Sequence, residues 1–260
     1  MDPAQIDRRR GLLLGVSDAS LPVRNMVVPG IAGKIEQRIL STTMQGESTR
    51  LIKTSNKWAT ESIGHFSSSF DLIILSGSIR INEVLVKPLS FLRITQDALI
   101  RDFLIDGPAT AIMCTEAPLK FLAESPESSS EVLFGHQYLE PVGTDLDSMY
   151  SYSLTPKSFP RQCWIQRWGN SAIQNPDIWF RRTAHEECFI LRGPITVSTT
   201  IGGDIVRFVY EAGGYYSFPP GVLNQSIETK VDSAALTIHI SDANSRLEEV
   251  VEKDNQSTVL

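Results

Sequence analysis

Apolar residues in this chain fall mainly in short runs separated by polar residues, glycine or proline. Such runs predict β-strands, because amphipathic helices would space their apolar positions at three and four residues. No long amphipathic helix interrupts the runs, so the pattern favours an all-β protein over a parallel α/β protein. The predicted strand segments of the first half are Met26–Gly30, Lys34–Leu40, Ser48–Thr54, Phe70–Leu75, Ile79–Val86 as a hairpin, Ser90–Ile94, Ala98–Ile105 and Ala109–Cys114.

Three short segments have helical rather than strand spacing. Asp2–Leu14 and Ala117–Ala123 are each predicted as a short helix. Ser241–Glu252 is predicted as an amphipathic helix, with Leu247, Val250 and Val251 forming its apolar stripe. The polar, proline-containing stretch 124–131 is typical of a spacer between domains.

The second half of the chain repeats the first. Ile73–Ile81 and Phe189–Val197 align without a gap at an offset of 116 residues. On the same offset Phe70 corresponds to Glu186, and His65 corresponds to Arg181. Internal duplication is the simplest explanation, and it predicts two similar domains.

Two stretches of the second half carry motif-like spacing. In the first, Glu186 is followed by a strand pattern that ends at Gly193. In the second, Gly213 is followed by Pro219 and Gly221. These spacings resemble the end of motif one and the start of motif two of the cupin superfamily, and the layout is similar to that of ChrR-like cupins.

The resemblance implies an all-β chain of two tandem cupin barrels (double-stranded β-helix, or jelly-roll, domains) with few short helices. We expect an arm over residues 1–25, a degenerate first barrel over 26–116 and a linker over 117–135. A second barrel over 136–241 would hold the active site, and 242–260 would form a helix and tail.

The histidines of the cupin metal site are missing. The family's two motif-one histidines fall within Trp179–Arg182, which contains none, and Asn224 stands at the motif-two histidine. His185 and Glu186 are adjacent, so they point to opposite faces if the strand runs through both. We therefore expect no metal and no other cofactor, since Gly-x-Gly-x-x-Gly, Walker, Gly-x-Ser-x-Gly and Cys-x-x-Cys motifs are also absent.

The remaining polar residues predict acid–base chemistry inside the second barrel. An inward Glu186 would serve as general acid or base, since burial of a lone carboxyl favours its neutral form and a nearby arginine opposes that effect. Asn224 with Arg181 or Arg182 would hold an oxyanion or orient a carbonyl, and His185 is a further catalytic candidate. The predicted substrate-binding residues are Trp164, Trp168, Trp179, Cys188, Ile190 and Tyr216. The aromatic residues would serve equally well as core.

Composition narrows the class of protein. The chain has 260 residues, 42% of them hydrophobic, and a net charge of −6, which argues against a nucleic-acid surface. Cys114, Cys163 and Cys188 lie in apolar runs, as expected of reduced thiols in a cytoplasmic protein. No apolar run reaches the length of a membrane span. A small-molecule ligand and a homodimer are the expected partners.

Three functions agree with these observations. The preferred hypothesis is a metal-independent isomerase, cyclase or lyase of secondary metabolism that transfers a proton. The second is a metal-dependent cupin dioxygenase or lyase, against which the missing histidines count. The third is a ligand-binding or sensory cupin without catalytic activity.

Overall fold

The computed structural model describes residues 13–43, 46–124, 130–140, 150–169, 178–201, 203–222, 224–229, 235–242 and 245–251. In these ranges the regular structure is β-strand, apart from one 3₁₀ turn at Asp18–Ser20. The strands are β1 (Leu13–Ser17), β2 (Arg24–Met26), β3 (Ile31–Ala32), β4 (Ile35–Thr42), β5 (Ser48–Thr54), β6 (Trp58–Thr60), β7 (His65–Phe66), β8 (Phe70–Ser76), β9 (Ile79–Ile81), β10 (Val84–Val86), β11 (Ser90–Ile94), β12 (Phe103–Ile105), β13 (Ala109–Thr115), β14 (Phe121–Leu122), β15 (Val132–Gln137), β16 (Tyr150–Ser153), β17 (Arg161–Trp168), β18 (Ile178–Arg182), β19 (Glu186–Arg192), β20 (Ile195–Ile201), β21 (Asp204–Tyr210), β22 (Gly214–Phe218), β23 (Asn224–Thr229), β24 (Ala235–Asp242) and β25 (Leu247–Val251).

The chain divides into two compact units, which we call the first and second barrels. The first barrel contains Leu21–Leu139, and the second contains residues 13–20 together with the described residues from Glu140 onward. The all-β fold predicted from the sequence is confirmed.

The first barrel consists of two main sheets around an apolar core. One sheet has the order β15-β11-β8-β13-β5-β4-β2 and the other β10-β9-β12-β6-β3, with β7 and β14 paired separately. The β9–β10 hairpin turns at Asn82 and Glu83, whose φ angles of 45° and 69° match a turn with two left-handed positions. Aromatic rings meet edge to face in the core, and they belong to Trp58, Phe66, Phe70, Phe103 and Phe121.

The second barrel repeats this strand order. Its sheets run β1-β22-β19-β24-β17-β16 and β21-β20-β23-β18-β25. The strands β8 and β19 begin at Phe70 and Glu186, which are 116 residues apart, as the sequence alignment predicted. Apolar side chains from both sheets, among them Ile190, Val197 and Tyr216, pack in the interior.

The helix predicted over Ser241–Glu252 is wrong in its described part, because residues Leu247–Val251 form the edge strand β25. They pair antiparallel with β18, so backbone pairing at a sheet edge overrides the helical spacing. The short helix predicted over Ala117–Ala123 is also wrong, since Phe121 and Leu122 form β14 and pair with β7.

The predicted domain boundaries also differ from the observed units. Residues 13–17 of the predicted arm form β1 and pair with β22 of the second barrel, and most of the predicted helix Asp2–Leu14 lies outside the described residues. In the predicted linker, residues from Val132 onward form β15 and pair with β11 of the first barrel. Each of these segments completes a sheet edge, which a composition-based boundary cannot reveal.

Candidate functional site

The candidate site lies on the inner face of β19. Alternation along the strand sets Glu186, Cys188 and Ile190 on one face, and both Cys188 and Ile190 belong to the apolar core of the second barrel. The neighbouring strand β24 places His239 opposite Cys188, and β22 places Tyr216 there from the other side. The sheet register therefore surrounds one carboxyl group with polar and aromatic side chains.

Glu186 is buried and binds two nitrogen donors. Its Oε1 lies 2.6 Å from Nδ1 of His239. Its Oε2 pairs with Nε of Arg182, four residues earlier in the chain. Only 7% of the Glu186 side chain is exposed, so both interactions form in a medium that strengthens them.

His239 links the carboxylate to a second hydrogen-bonded group. Its Nε2 lies 2.8 Å from Oγ1 of Thr237, which accepts a hydrogen bond of 3.1 Å from Nε1 of Trp168. Burial, with the nearby charge of Arg182, lowers the pKa of His239 to about 3. The imidazole is therefore neutral at physiological pH, and these partners assign its proton to Nδ1, which donates to Glu186.

Trp164 forms the aromatic side of the site. Its ring stacks on the His239 imidazole at a centroid distance of 5.2 Å and an interplanar angle of 9°. The guanidinium carbon of Arg182 lies 4.6 Å from the centroid of the same ring, in a cation–π contact. Glu186 and Trp164 therefore fix the position of Arg182 from two sides.

Three further titratable groups of this core, Cys188, Tyr216 and Tyr210, are neutral at physiological pH. Burial raises the pKa of the Cys188 thiol to about 12, and the pKa of the Tyr216 hydroxyl rises well above its usual value for the same reason. Burial also raises the pKa of Tyr210 to about 12. The charges of this group are those of the ion pair between Glu186 and Arg182.

The structure brings together most of the predicted site residues. Glu186, Arg182, Trp164 and Trp168 are joined by the contacts above, and Cys188 lies 3.8 Å from Nε2 of His239. Ile190 and Tyr216 pack in the same core. The backbone of Asn224 lies in β23, where it pairs with Phe180 of β18 and Thr199 of β20.

Three predicted residues lie elsewhere. Arg181 is 49% exposed and pairs with Glu248 at 2.7 Å. His185 binds Oγ of Ser217, which alternates with Tyr216 and so belongs to the opposite face of β22. Trp179 is buried, but it alternates with Phe180 and Arg182 and lies on the other face of β18. Strand alternation therefore separates these three side chains from Glu186.

Two site residues, His239 and Thr237, were not predicted from the sequence. Both lie in the apolar strand β24, where Thr237, His239 and Ser241 alternate with Leu236, Ile238 and Ile240. The period-two run of polar residues was the available signal, because it marks a polar stripe on one face of a strand.

The cupin resemblance implies a metal ion, and the described donors do not fit one. One Glu186 oxygen contacts the His239 imidazole, and the other is ion-paired with the Arg182 guanidinium, which stays protonated and cannot be a ligand. Its fixed charge also repels a divalent cation in a buried site. Among the described residues, no group of three or more His, Cys, Asp and Glu is arranged to hold a metal.

The equivalent place in the first barrel is apolar. Phe70 corresponds to Glu186, is fully buried and meets Phe66 at a ring distance of 4.8 Å. His65 is held by the Glu124 carbonyl oxygen at 3.2 Å and by Asp97 at 3.4 Å. Aromatic packing thus occupies the space where the second barrel places its charges.

Membrane insertion through a helix has no support in the described ranges, where no helix has the length and apolar content to cross a bilayer.

Comparison with known proteins identifies the fold. No family model matches the chain, and no curated protein matches it. A crystal structure of a "putative dioxygenase" from Nostoc punctiforme superposes with a TM-score of 0.68 at 14% identity, covering 90% of this chain and 83% of that one. A tryptophan-to-phenylalanine variant of oxalate decarboxylase from Bacillus subtilis gives a TM-score of 0.61 at 10% identity, with coverages of 98% and 84%. At such low identity these likenesses establish the fold alone, and the chain has the all-β fold of the two-barrel cupins.

Proposed function

We propose that the second barrel is the active site of an enzyme that transfers a proton on a small organic molecule without a metal ion. Isomerisation, cyclisation and elimination are reactions of this class, and a tailoring step of secondary metabolism would use one. The observation that carries the proposal is the buried Glu186 carboxylate, held between Arg182 and His239 in the interior of the second barrel. A carboxylate excluded from bulk water is positioned to act as general base.

The chemistry follows from the charges of the site. Glu186 takes a proton from a carbon next to a carbonyl group, and the electron pair of the C–H bond moves onto the carbonyl oxygen as an enolate. The guanidinium of Arg182 is the cation closest to Glu186 and stabilises the new negative charge. Glu186 then returns the proton to a different carbon, or the enolate expels a leaving group.

Neighbouring side chains would position the substrate. Trp164 presents an aromatic ring beside Arg182, and Cys188, Ile190 and Tyr216 provide apolar surface next to it. Trp168 supports the site through Thr237 and His239. Asn224 remains a candidate donor to a substrate carbonyl, on the position of its backbone beside Phe180.

The cellular setting is part of the same proposal. A cytoplasmic enzyme with a small-molecule substrate and no nucleic-acid partner agrees with the net charge of −6 and the three buried cysteines, none of which forms a disulfide. A homodimer remains a prediction.

Deuterium incorporation tests the proposed reaction. The purified protein is incubated in D₂O with a panel of enolisable ketones, 1,3-dicarbonyl compounds and unsaturated lactones, and exchange or isomerisation is followed by NMR. We expect at least one compound to react with the wild type, and a loss of roughly a hundredfold or more in Glu186→Gln.

Glu187→Gln is the matched control for this experiment. Glu187 is the neighbouring buried glutamate, and it points to the opposite face of β19. A folded Glu187→Gln protein should keep the activity. Equal rates in wild type and Glu186→Gln would refute the role of Glu186.

Metal analysis separates this proposal from a metal-dependent oxygenase or lyase. We expect protein purified without chelator to contain no stoichiometric iron, manganese, nickel or zinc, and activity to survive EDTA. Stoichiometric metal that is lost together with activity would favour the metal-dependent hypothesis. A non-catalytic binding module would instead bind ligand and leave the whole panel unchanged.

A further inference from the structure

Among the residues that the structure describes, no acceptor takes the Nη donors of the Arg182 guanidinium. Its Nε pairs with Glu186, and its plane lies near the Trp164 ring. In the described part of the chain, the two Nη groups make no hydrogen bond. The side chain is 18% exposed, compared with 7% for Glu186, so Arg182 is the more accessible of the two charges.

The charge balance of the site restricts what can bind there. Glu186 and Arg182 cancel each other, while His239 on β24, Cys188 on β19 and Tyr216 on β22 are neutral. A monoanion added to this group leaves an uncompensated negative charge in a buried place, which is costly. The balance is restored when a proton enters with the anion and neutralises Glu186.

We propose that the second barrel binds a small organic monoanion together with one proton, with the anion on the Nη groups of Arg182 and the proton on Glu186. A carboxylate or an enolate fits this description, since a guanidinium offers two parallel N–H donors to paired oxygens. The inference rests on the proposed function in one respect: an enolate beside a protonated Glu186 is the state that proton abstraction would produce. The substrate class is therefore a carbon acid that forms a stabilised enolate.

Trifluoroacetate is a suitable probe because it stays ionised across the accessible pH range and its fluorine signal reports binding by NMR. We expect its dissociation constant to fall by about tenfold for each pH unit of acidification, as the uptake of one coupled proton requires. Trifluoroethanol, a neutral molecule of similar size, should show no such pH dependence. EDTA is present throughout so that metal-mediated binding is excluded.

Variants of the two charges give opposite results under this proposal. Glu186→Gln is neutral at every pH, so it should bind trifluoroacetate more tightly than the wild type at neutral pH and without pH dependence. Arg182→Gln should weaken binding by roughly tenfold or more, the usual effect of losing a charge-assisted hydrogen bond. Arg181→Gln is the matched control and should bind like the wild type, since Arg181 pairs with Glu248 at the surface.

A double variant that removes both charges is included because the single Arg182 variant could fail to fold. Arg182→Gln leaves Glu186 without its cation, whereas Arg182→Gln combined with Glu186→Gln removes both charges together. The folded double variant should not bind trifluoroacetate. Wild-type affinity in either Arg182 variant, or pH-independent binding by the wild type, would overturn the proposal.

The anion-binding experiment and the deuterium experiment can fail independently of each other. Tighter binding by Glu186→Gln, together with an inactive wild type in the deuterium experiment, would retain the anion site and reject catalysis. Deuterium exchange that depends on Glu186, without anion binding, would do the reverse.

Discussion

At the scale of single residues, the face of the strand decides the role of a side chain more than its chemical type does. Glu186 and Glu187 are adjacent and both buried, yet only Glu186 meets His239 and Arg182. Arg181 and Arg182 are adjacent as well, and only Arg182 turns toward the carboxylate. Because successive strand residues point to opposite faces, neighbours in sequence are separated by the thickness of the sheet.

The titration of His239 gives a prediction at this scale. Its pKa is lowered from 6.5 to about 3 in the folded chain, so the unfolded chain takes up the proton first as the pH falls. The free energy of unfolding should therefore decrease below pH 6.5, by about 1 kcal/mol per pH unit from this residue.

His239→Asn isolates this contribution, since its amide can still donate to Glu186 but does not titrate. Urea unfolding at several pH values between about 5 and 7 should show a shallower loss of stability in the variant, across the region where His titrates in an unfolded chain. Parallel curves for wild type and variant would contradict the assignment of a neutral, buried imidazole.

At the scale of elements, segments from the chain ends complete the second barrel. β1 forms one edge of its larger sheet by pairing with β22, and β25 forms one edge of the smaller sheet by pairing with β18. The amide of Gly15 also donates to the hydroxyl of Tyr210 at 3.1 Å. In the first barrel, β15 takes the place that β1 has in the second.

Removal of β1 should loosen the second barrel selectively. A chain lacking residues 1–20 leaves β22 with an unpaired edge and loses the packing of Leu14 on the core. Hydrogen–deuterium exchange followed by mass spectrometry should become faster in Gly214–Phe218 and stay unchanged in β13 of the first barrel. A chain lacking only residues 1–12 retains β1 and serves as the control. Unchanged exchange in Gly214–Phe218 after the longer deletion would show that β1 does not support this sheet.

At the scale of the whole molecule, one strand order occurs twice, and the two barrels differ in the side chains of their interiors. The order β4-β5-β13-β8-β11-β15 in the first barrel corresponds to β16-β17-β24-β19-β22-β1 in the second. The two copies differ at the start of the central strand, where the first has Phe70 and the second has Glu186. A phenylalanine completes an apolar core there, whereas the glutamate requires a cation and an imidazole.

Replacement of Phe70 by glutamate tests whether a buried carboxylate at this position needs a neighbouring cation. Phe70→Glu buries a carboxylate among the rings of Phe66 and its neighbours without an arginine, and should cost roughly 3 kcal/mol or more of unfolding free energy. Phe70→Leu should cost less, because it changes volume without introducing charge. The deficit of Phe70→Glu should shrink at low pH, where the carboxyl group is protonated, and a deficit independent of pH would point to volume alone.

The sequence predicted several central strands accurately but assigned two short strands, β14 and β25, to helices. Strands such as Ser48–Thr54 and Ser90–Ile94 were predicted with the observed bounds, because each combines strand-forming residues with turn signals at both ends. β14 and β25 were predicted as helices, since their short patterns fit either period and the deciding pairings come from distant residues.

The all-β class, the duplication at 116 residues and the shared face of Glu186, Cys188 and Ile190 could all be predicted from the chain alone, because they depend on local periodicity and on spacing within one strand. Arg181 or Arg182 was predicted to lie near the Glu186 carboxylate, but the choice of Arg182 and the contact with His239 became known only from the folded structure. His239 reaches Glu186 across 53 positions of sequence, through a register that backbone hydrogen bonds between β19 and β24 impose. The polar stripe of β24 marks one face of that strand but does not say which distant strand it pairs with, so the partners of the buried charge are defined only once the sheet is assembled.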